Sequence, residues 1–388
     1  MKRFVFDCIM IPILLLIAIL SRFKRKKIHI GIGPEPLINN VYHKKALILF
    51  GYTCETFVVS TYFITQSFDV DFSKKLPKYL HRFSWYIIFA FAVLRYRCLY
   101  IYFNGGPLYG TSSFLRSLEP YLLKISGTKV VVMPYGGDVM DCSSNKNLIF
   151  KYGLISHYPE YSKNIRKIKS QVARWTHFSD FIFSGCDWVD YTYYWDKLML
   201  AHFSIDTDIW KPILNISRCE TFKILHAPNH RLIKGTESLI KAVEKMKADG
   251  KDIELILVEK RPNNEVRELI NSVDLVVDQL IIGWYAMFAL EGMSSGKPVV
   301  CYIRDDLKKL YEYSNVLKDP LPLISATPET IYEKLCEVYQ QREMLDNIGR
   351  DSRNFVIKYH SIEVIGKFFH EANVKIGLRN EVKCETNI

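Results

Sequence analysis

The feature that most constrains the fold is a regular alternation of short apolar strands and helices, with glycines directly after several strands. Strand Ile28–Gly33 ends in a Gly-x-Gly-Pro turn, and strands Cys98–Phe103 and Lys129–Met133 each run into a Gly-Gly pair. Further strands are predicted at Glu55–Ile64 and Phe181–Phe183, and helices at Val41–Leu49, Leu76–Leu94, Thr111–Ile125 and Tyr161–Phe178. This pattern is typical of a doubly wound parallel sheet.

Segment Ser204–Pro212 (SIDTDIWKP) interrupts the alternation and is interpreted as a linker. A second series follows, with strands at Phe222–His226, Ile253–Val258, Leu275–Asp278 and Pro298–Tyr302, and helices at Thr236–Asp249, Asn264–Ser272, Tyr285–Ser295, Glu329–Arg353 and Ser361–Val374. The sequence therefore predicts an α/β fold of two Rossmann-like domains facing across a ligand cleft at the strand ends. The predicted units are residues 1–27 (membrane anchor), 28–205 (acceptor domain), 206–360 (donor domain) and 361–388 (C-terminal helix and tail).

The N-terminal segment Phe4–Leu20 is apolar except for Asp7 and Cys8, and a basic run, Arg22–Lys27, follows it. The segment is short for a spanning helix, and Pro12 interrupts it. It is predicted to be a membrane anchor that either spans the bilayer or lies in its interface, with a buried N-terminal helix as the alternative. The basic run places the body of the protein on the cytoplasmic face and favours an anionic membrane surface as a partner.

The net charge of +11 is concentrated in this first segment, where seven basic residues stand against Asp7. A nucleic-acid-binding protein would spread its basic residues over a recognition surface, so nucleic acid is not expected as a partner. The nine cysteines are scattered singly without a CxxC pair, which predicts reduced thiols in the cytoplasm.

The loop His226–Thr236 (HAPNHRLIKGT) lies between a predicted strand and a predicted helix. Arg231 and Lys234 stand just before the helix N-terminus, where free amides and the helix dipole favour an anion. Gly235 leaves space for a phosphate to approach. His226 and Asn229 belong to the same predicted phosphate site, and an ordinary solvated basic turn is the alternative.

A second motif covers Asp278–Val300 (DQLIIGWYAMFALEGMSSGKPVV). A strand ends at Asp278, the Gly283-Trp284-Tyr285 loop opens a helix, and Glu291 lies about two turns along that helix. A glutamate there can accept hydrogen bonds from both ribose hydroxyls of a nucleotide. The alternative is a solvated helix glutamate.

Together the two motifs and the SIDTDIWKP segment resemble the family 4-type retaining glycosyltransferases of the GT-B fold. The resemblance is strong after Ser204 and weak before it. It implies a nucleotide-diphosphate-sugar donor held by the C-terminal domain, an acceptor held by the N-terminal domain, and retention of anomeric configuration. It implies neither a metal nor another cofactor, because Arg231 and Lys234 would stabilise the departing diphosphate. Glu291 matches the second glutamate of the family's E-x7-E motif.

Two departures from the family pattern concern the sugar and the base. Position 283 is glycine where the family has its first glutamate, so Asp278, Gln279 or the backbone near Trp284 and Tyr285 become the candidates for binding the sugar. The stretch between Val258 and Asp274 is short, so a base-framing strand is compressed or missing. Glu259 is expected to replace a glycine-rich turn there.

The N-terminal domain offers two further candidates. Gly33 is predicted to let a donor phosphate or acceptor approach the backbone, with a plain turn as the alternative. Asp138 follows a strand and is predicted to face the cleft, where it would position or deprotonate an acceptor hydroxyl, or else act only as a helix N-cap. Tyr135 stands where many relatives carry a cleft histidine, so no catalytic histidine is assigned.

These observations predict a membrane-associated hexosyltransferase of surface polysaccharide biosynthesis. It would move a sugar from a nucleotide-diphosphate sugar to a glycan or polyprenyl-linked saccharide. A nucleotide-sugar epimerase of GT-B-like fold and a catalytically inactive scaffold remain the alternatives.

Overall fold

The computed structural model describes residues 2–61, 67–213 and 221–380. Residues 62–64 of the predicted second strand, Cys219 and Cys384, and the tail from residue 381 lie outside these ranges. The strands are β1 (Ile28–Ile32), β2 (Cys54–Val58), β3 (Val70–Asp71), β4 (Tyr96–Tyr102), β5 (Lys129–Met133), β6 (Phe181–Ser184), β7 (Lys197–Leu198), β8 (Phe222–His226), β9 (Ile253–Leu257), β10 (Leu275–Val277) and β11 (Val299–Val300).

The helices alternate with these strands. They are α1 (Lys2–Phe23), α2 (Asn39–Leu49), α3 (Phe72–Lys75), α4 (Ser84–Arg95), α5 (Ser113–Ile125), α6 (Leu148–His157), α7 (Pro159–Lys163), α8 (Ile165–Phe178), α9 (Arg231–Lys234), α10 (Thr236–Ala248), α11 (Asn263–Asn271), α12 (Met287–Ser294), α13 (Asp305–Tyr313), α14 (Ile331–Gln340), α15 (Leu345–His360) and α16 (Ile362–Lys375). Three 3-10 segments lie at Lys78–Phe83, Cys186–Asp190 and Arg342–Met344.

Within the described residues, two parallel sheets form the centres of the two domains. The N-terminal sheet has the order β3-β2-β1-β4-β5-β6-β7, and the C-terminal sheet has the order β11-β10-β8-β9. In the N-terminal sheet, β2 and β3 lie on one side of β1 and the later strands on the other side. In the C-terminal sheet, β9 lies on one side of β8, and β10 and β11 lie on the other. Ligands bind beyond the carboxyl ends of strands at such switch points, so the topology places a cleft between the two sheets.

The last helix, α16, returns the chain from the C-terminal domain to the N-terminal domain. α15 packs against α12 in the C-terminal domain, and α16 then crosses to pack against α2 in the N-terminal domain. Ile365 and Phe369 are buried there against the N-terminal sheet. The amide of Ile205 in the linker donates to the His360 carbonyl at 2.9 Å, so the linker and the returning chain lie side by side.

Helix α1 lies along the N-terminal domain and packs against α4 and α5. Asp7 is completely buried: its carboxylate accepts a hydrogen bond from the Tyr86 hydroxyl and another from the Ser112 amide at 2.8 Å. Just beyond the other end, the Lys26 ammonium donates to the Thr128 hydroxyl at 2.7 Å. α1 is therefore joined to the domain by buried polar contacts near both ends.

Several predicted element boundaries differ from those in the structure. The helix predicted at Leu76–Leu94 starts at Ser84, and a 3-10 segment that follows Pro77 precedes it. The helix predicted at Glu329–Arg353 is two helices, α14 and α15. Residues 258–274, all of them described, contain α11 and no strand, which agrees with the shortened base-framing region.

We expect Phe369→Ala to lower the free energy of unfolding by about 3–5 kcal/mol, because the ring is fully buried and its removal leaves a cavity between α16 and the sheet. Urea unfolding followed by circular dichroism measures this loss. Val374→Ala on the exposed side of the same helix is the control and should cost less than about 0.5 kcal/mol. Equal losses in both variants would contradict the packing of α16.

Candidate functional site

Two cavities meet at Lys234. The interdomain cavity, about 460 Å³, lies between the domains and is lined from the N-terminal side by Tyr135, Asp187 and Trp188 among others. The C-terminal cavity, about 390 Å³, lies mainly in the second domain and is lined by Glu259, Asn263 and Glu291 among others. Asn229, His230, Lys234 and Ala286 line both cavities. An elongated ligand that occupies both would therefore pass Lys234.

A buried ion pair fixes the Lys234 side chain. Its ammonium lies 2.7 Å from Oδ1 of Asp278, whose side chain is 1% exposed. The other oxygen of Asp278 accepts a hydrogen bond from the Ala286 amide at 3.1 Å, at the start of α12. Asp278 does not line either cavity. The expectation that it binds a sugar is thus corrected: its oxygens are used to hold the lysine and the helix.

Glu291 lies where its motif predicts, buried in the wall of the C-terminal cavity. Burial raises the pKa of its carboxyl group to about 8. Asn263, on α11, donates a hydrogen bond to Oε1 of Glu291 at 2.7 Å and therefore orients the carboxyl group. The sequence did not single out Asn263, because nothing in the local pattern shows that α11 faces α12.

Arg231 takes a different position from its predicted partner Lys234. Its guanidinium lies 2.8 Å from Glu237 and 3.7 Å from Glu259, and its side chain is 38% exposed. Arg231 lines neither cavity, whereas Glu259 lines the C-terminal one. The structure thus brings Lys234 and Glu259 to the site, and it holds Arg231 at the rim through two carboxylates.

His226 is a structural residue, which corrects its expected role in donor binding. It is fully buried, with Nδ1 at 2.7 Å from the Val277 carbonyl and Nε2 at 2.8 Å from the Thr236 hydroxyl. Burial lowers its pKa to about 4, so the ring is neutral near pH 7. It connects β8, β10 and the start of α10, and neither ring nitrogen is left for a ligand.

Gly235 is also required for packing rather than for ligand access. Its φ of +78° ends α9 in the left-handed region, which a glycine adopts without strain. A side chain there would lie 2.9 Å from Leu280. The expected close approach of a phosphate to Gly235 therefore has no support in this geometry, and it also lines neither cavity.

Gln279 and Gly283 organise the loop before α12 and do not contact the cavities. The Gln279 amide donates to the Trp284 carbonyl at 2.8 Å, and its oxygen accepts from the Ile282 amide at 2.6 Å. Gly283 has a φ of +106°, and a Cβ atom there would lie 2.5 Å from the side chain of Arg304. A glutamate therefore does not fit at position 283. The prediction that Gln279 binds the sugar is corrected, because its amide is used to hold the loop in place.

Trp284 and Tyr285, the loop residues predicted to bind the donor, line the interdomain cavity. The Trp284 indole donates to the Leu200 carbonyl in the N-terminal domain at 2.9 Å. The Tyr285 hydroxyl lies 2.9 Å from Nε2 of His360. Because their polar atoms are already bonded, the two residues offer the cavity mainly aromatic surface and backbone.

The predicted roles of Asp138 and Gly33 in the N-terminal domain are corrected, because both residues serve the fold. Asp138 is 1% exposed, and its carboxylate accepts hydrogen bonds from the amides of Phe103, Tyr135 and Gly136 at 2.9–3.0 Å. Those bonds occupy the oxygens that an acceptor hydroxyl would need. A Cβ atom at Gly33 would lie 2.0 Å from the Phe57 carbonyl, so this glycine allows β1 and β2 to approach.

Two residues that the sequence did not single out complete the cleft. His230 lines both cavities, and its Nδ1 lies 3.0 Å from the Tyr158 hydroxyl of the N-terminal domain. Asp187 lines the interdomain cavity from a 3-10 turn. In the described part of the chain, no group of three or more His, Cys, Asp or Glu side chains is arranged to hold a metal ion.

Comparison with solved structures shows the same fold in several proteins. Sucrose-phosphate synthase from Thermosynechococcus elongatus superposes with a TM-score of 0.58 at 12% identity, covering 90% of this chain and 99% of that one. A glycosyltransferase from Rickettsia africae gives 0.54 at 13%, covering 91% and 99%. HepE from Anabaena, in complex with UDP, gives 0.53 at 11%, covering 90% and 100%.

These similarities show that the chain has the GT-B fold, with two parallel-sheet α/β domains. No model of a known protein family matches the sequence, and no curated protein matches it either.

We expect Lys234→Ala to lower the free energy of unfolding by roughly 3 kcal/mol, because it leaves the buried Asp278 carboxylate without its partner. The double variant Lys234→Ala/Asp278→Asn should recover most of this stability. Both variants should bind inorganic pyrophosphate at least about tenfold more weakly, since the cation is absent in each. Urea unfolding and calorimetric titration measure the two effects.

Lys241→Met, an exposed change on α10, is the control and should alter neither quantity. Normal pyrophosphate binding by the stable double variant would show that Lys234 has only a structural role.

Proposed function

We propose that this protein is a glycosyltransferase that moves a sugar from a nucleoside-diphosphate sugar to a hydroxyl group of a glycan. The observation that carries the proposal is the position of Lys234, a buried cation at the junction of the two cavities. The GT-B fold, and the UDP in the HepE structure, support a uridine diphosphate donor. Retention of the anomeric configuration is the stereochemistry that the motif resemblance implies.

The three parts of such a donor have matching surroundings. The ribose would contact Glu291 in the C-terminal cavity, the diphosphate would lie at Lys234, and the sugar would extend into the interdomain cavity. As the glycosidic bond breaks, negative charge grows on the diphosphate, and a fixed ammonium stabilises it without reorganising. We propose that Lys234 does this without a metal ion.

The acceptor has a candidate entrance on the N-terminal side. A third cavity, about 230 Å³, is lined by Asn104, Tyr109, Lys167 and Gln171, and it shares Tyr135 with the interdomain cavity. Its polar and aromatic lining suits a saccharide, because hydroxyl groups can hydrogen-bond while ring faces pack on tyrosine. We propose that the acceptor glycan reaches the transferred sugar from this side.

We also propose that α1 lies in the plane of an anionic membrane. It is the only described helix long and apolar enough to cross a bilayer, but only 22% of its apolar window is buried. Its inner face holds Asp7 against the domain, while its outer face exposes apolar side chains such as Ile9 (62%), Leu16 (57%) and Phe23 (82%). A spanning orientation would pull Asp7 away from its partners, whereas an interfacial one keeps them and uses the basic run for lipid headgroups.

This arrangement would suit a lipid-linked acceptor at the cytoplasmic face of the cell membrane, as in the synthesis of a surface polysaccharide. The docked helix would keep the cleft close to the lipid surface. Mass spectrometry of the lipid-linked glycans that accumulate in cells without the protein would identify the acceptor. If no such intermediate changes, the acceptor is not lipid-linked.

The purified protein should release UDP from one of UDP-glucose, UDP-galactose or UDP-N-acetylglucosamine in the presence of membrane extract. Glu291→Ala should lower kcat/KM for that donor by about 10- to 100-fold, because the ribose loses a buried hydrogen-bonding partner. Glu268→Ala, on an exposed face of α11, is the control. A folded protein that binds none of these nucleotides would instead be an inactive scaffold, and inversion at one sugar carbon without transfer would indicate an epimerase.

The variant Ile9→Gln/Leu16→Gln/Phe23→Gln should lose at least about 90% of its binding to vesicles of phosphatidylcholine and phosphatidylglycerol, because the apolar face no longer inserts. Binding by the unchanged protein should fall when salt is raised or phosphatidylglycerol is omitted, as basic side chains lose their anionic partners. Vesicle flotation measures both. The triple variant Tyr313→Gln/Ile357→Gln/Val374→Gln changes exposed apolar residues elsewhere and should bind normally.

A further inference from the structure

The wall of the interdomain cavity includes the buried carboxyl group of Asp187, which has no role in the proposed function. Asp187 lies on the 3-10 segment Cys186–Asp190, directly after β6, and is 4% exposed. It lines the same cavity as Lys234, Trp188 and Trp284. Its Oδ2 atom has no hydrogen-bond partner among the described residues. A buried, unsatisfied carboxyl group destabilises the fold, so its presence calls for a ligand or another cause.

Asp190, three residues further along the same segment, is a carboxylate whose two oxygens both have cationic partners. One of its oxygens lies 2.6 Å from the guanidinium of Arg304, and the ammonium of Lys146 lies 3.8 Å from the other. Asp187 has no such partner. Burial and the charge of Asp190 raise the pKa of Asp187 to about 7, and the charges of Arg304 and Lys234 lower it only in part.

Arg304 connects Asp187 to the glycine at position 283. The Arg304 side chain fills the space that a side chain at position 283 would need. Its guanidinium crosses to the N-terminal domain and holds Asp190, and through it the turn that carries Asp187. Arg304 therefore prevents a glutamate at position 283 of the C-terminal domain, and it also positions the turn that carries Asp187 in the N-terminal domain.

We infer that Asp187 binds the donor sugar by accepting hydrogen bonds from its hydroxyl groups, in place of the carboxylate that position 283 lacks. A carboxylate offers only acceptors, and a sugar offers several hydroxyl donors that would satisfy the free oxygen. Trp188 and Trp284 in the same cavity supply apolar surface for the sugar ring. This inference rests on the proposed function, because it assigns the sugar part of the nucleotide-sugar donor to this cavity.

The test separates binding of the nucleotide from binding of the sugar. Asp187→Ala should bind UDP with a Kd within about twofold of the unchanged protein, and it should lower kcat/KM for the donor sugar nucleotide at least about tenfold. In calorimetry without acceptor, the unchanged protein should bind the UDP-sugar more tightly than UDP. In Asp187→Ala the two Kd values should be equal. The melting temperature should stay the same or rise, because the variant removes an unsatisfied buried carboxyl group.

Asp187→Asn keeps the shape of the side chain and decides the outcome if the alanine variant does not fold. It should also lower kcat/KM, by a smaller factor, since an amide oxygen accepts more weakly. Asp180→Asn, just before the other end of β6, is the matched control and should leave kcat/KM unchanged.

Three outcomes would overturn the inference. Wild-type kcat/KM in both Asp187 variants would show that the sugar does not contact this residue. A lower melting temperature together with weaker UDP binding in both would make Asp187 structural. If the unchanged protein turns over no nucleotide sugar, the proposed function fails first and the inference falls with it.

Discussion

The site depends on the buried ion pair between Lys234 and Asp278. One oxygen of the aspartate fixes the ammonium and the other accepts a hydrogen bond at the start of α12, so a single carboxylate positions both the lysine proposed to bind phosphate and the helix that carries Glu291. His226 holds β8 to β10 immediately beside the pair. Because the pair is desolvated, its geometry is demanding, and removal of one partner costs far more than removal of both. The proposed phosphate recognition and the local stability would therefore depend on the same pair.

The cleft is held together by contacts between the domains. Arg304 pairs with Asp190 across the domain boundary, and the Trp284 indole donates to the Leu200 carbonyl of the N-terminal domain. The Tyr158 hydroxyl lies beside His230 on the other side of the cavity. These bonds and the return of α16 fix the separation of the two sheets. An interdomain cavity of defined size is the result, and in the proposed transfer reaction it would limit the access of water to the sugar.

Burial of polar groups has different consequences in different parts of the molecule. Asp7 and Asp138 are buried with full sets of partners, so they position α1 and the loop after β5. Asp187 is similarly buried, but its Oδ2 atom is one of several buried polar atoms without a hydrogen-bond partner among the described residues, and it is one that lies in the wall of the interdomain cavity. Helix α1 is apolar on both faces: Leu14 and Ala18 are buried beside Asp7 on the inner face, while Ile9, Leu16 and Phe23 stay exposed on the outer face. The free oxygen of Asp187 and the exposed apolar face of α1 are the observations on which the proposed sugar contact and the proposed membrane contact rest.

The sequence by itself determined the two-domain α/β fold, the places of β5 and β8, and the position of Glu291 and Lys234 along one cavity, because strand periodicity and motif spacing are local properties. It did not determine which nearby residues reach the ligand. His226 faces the sheet although it belongs to the loop motif, and the space beside Gly283, which has a φ of +106°, is filled by the side chain of Arg304. The place of Asp187 was likewise decided by packing between domains. Such contacts join residues far apart in the chain, so only the tertiary structure decides them.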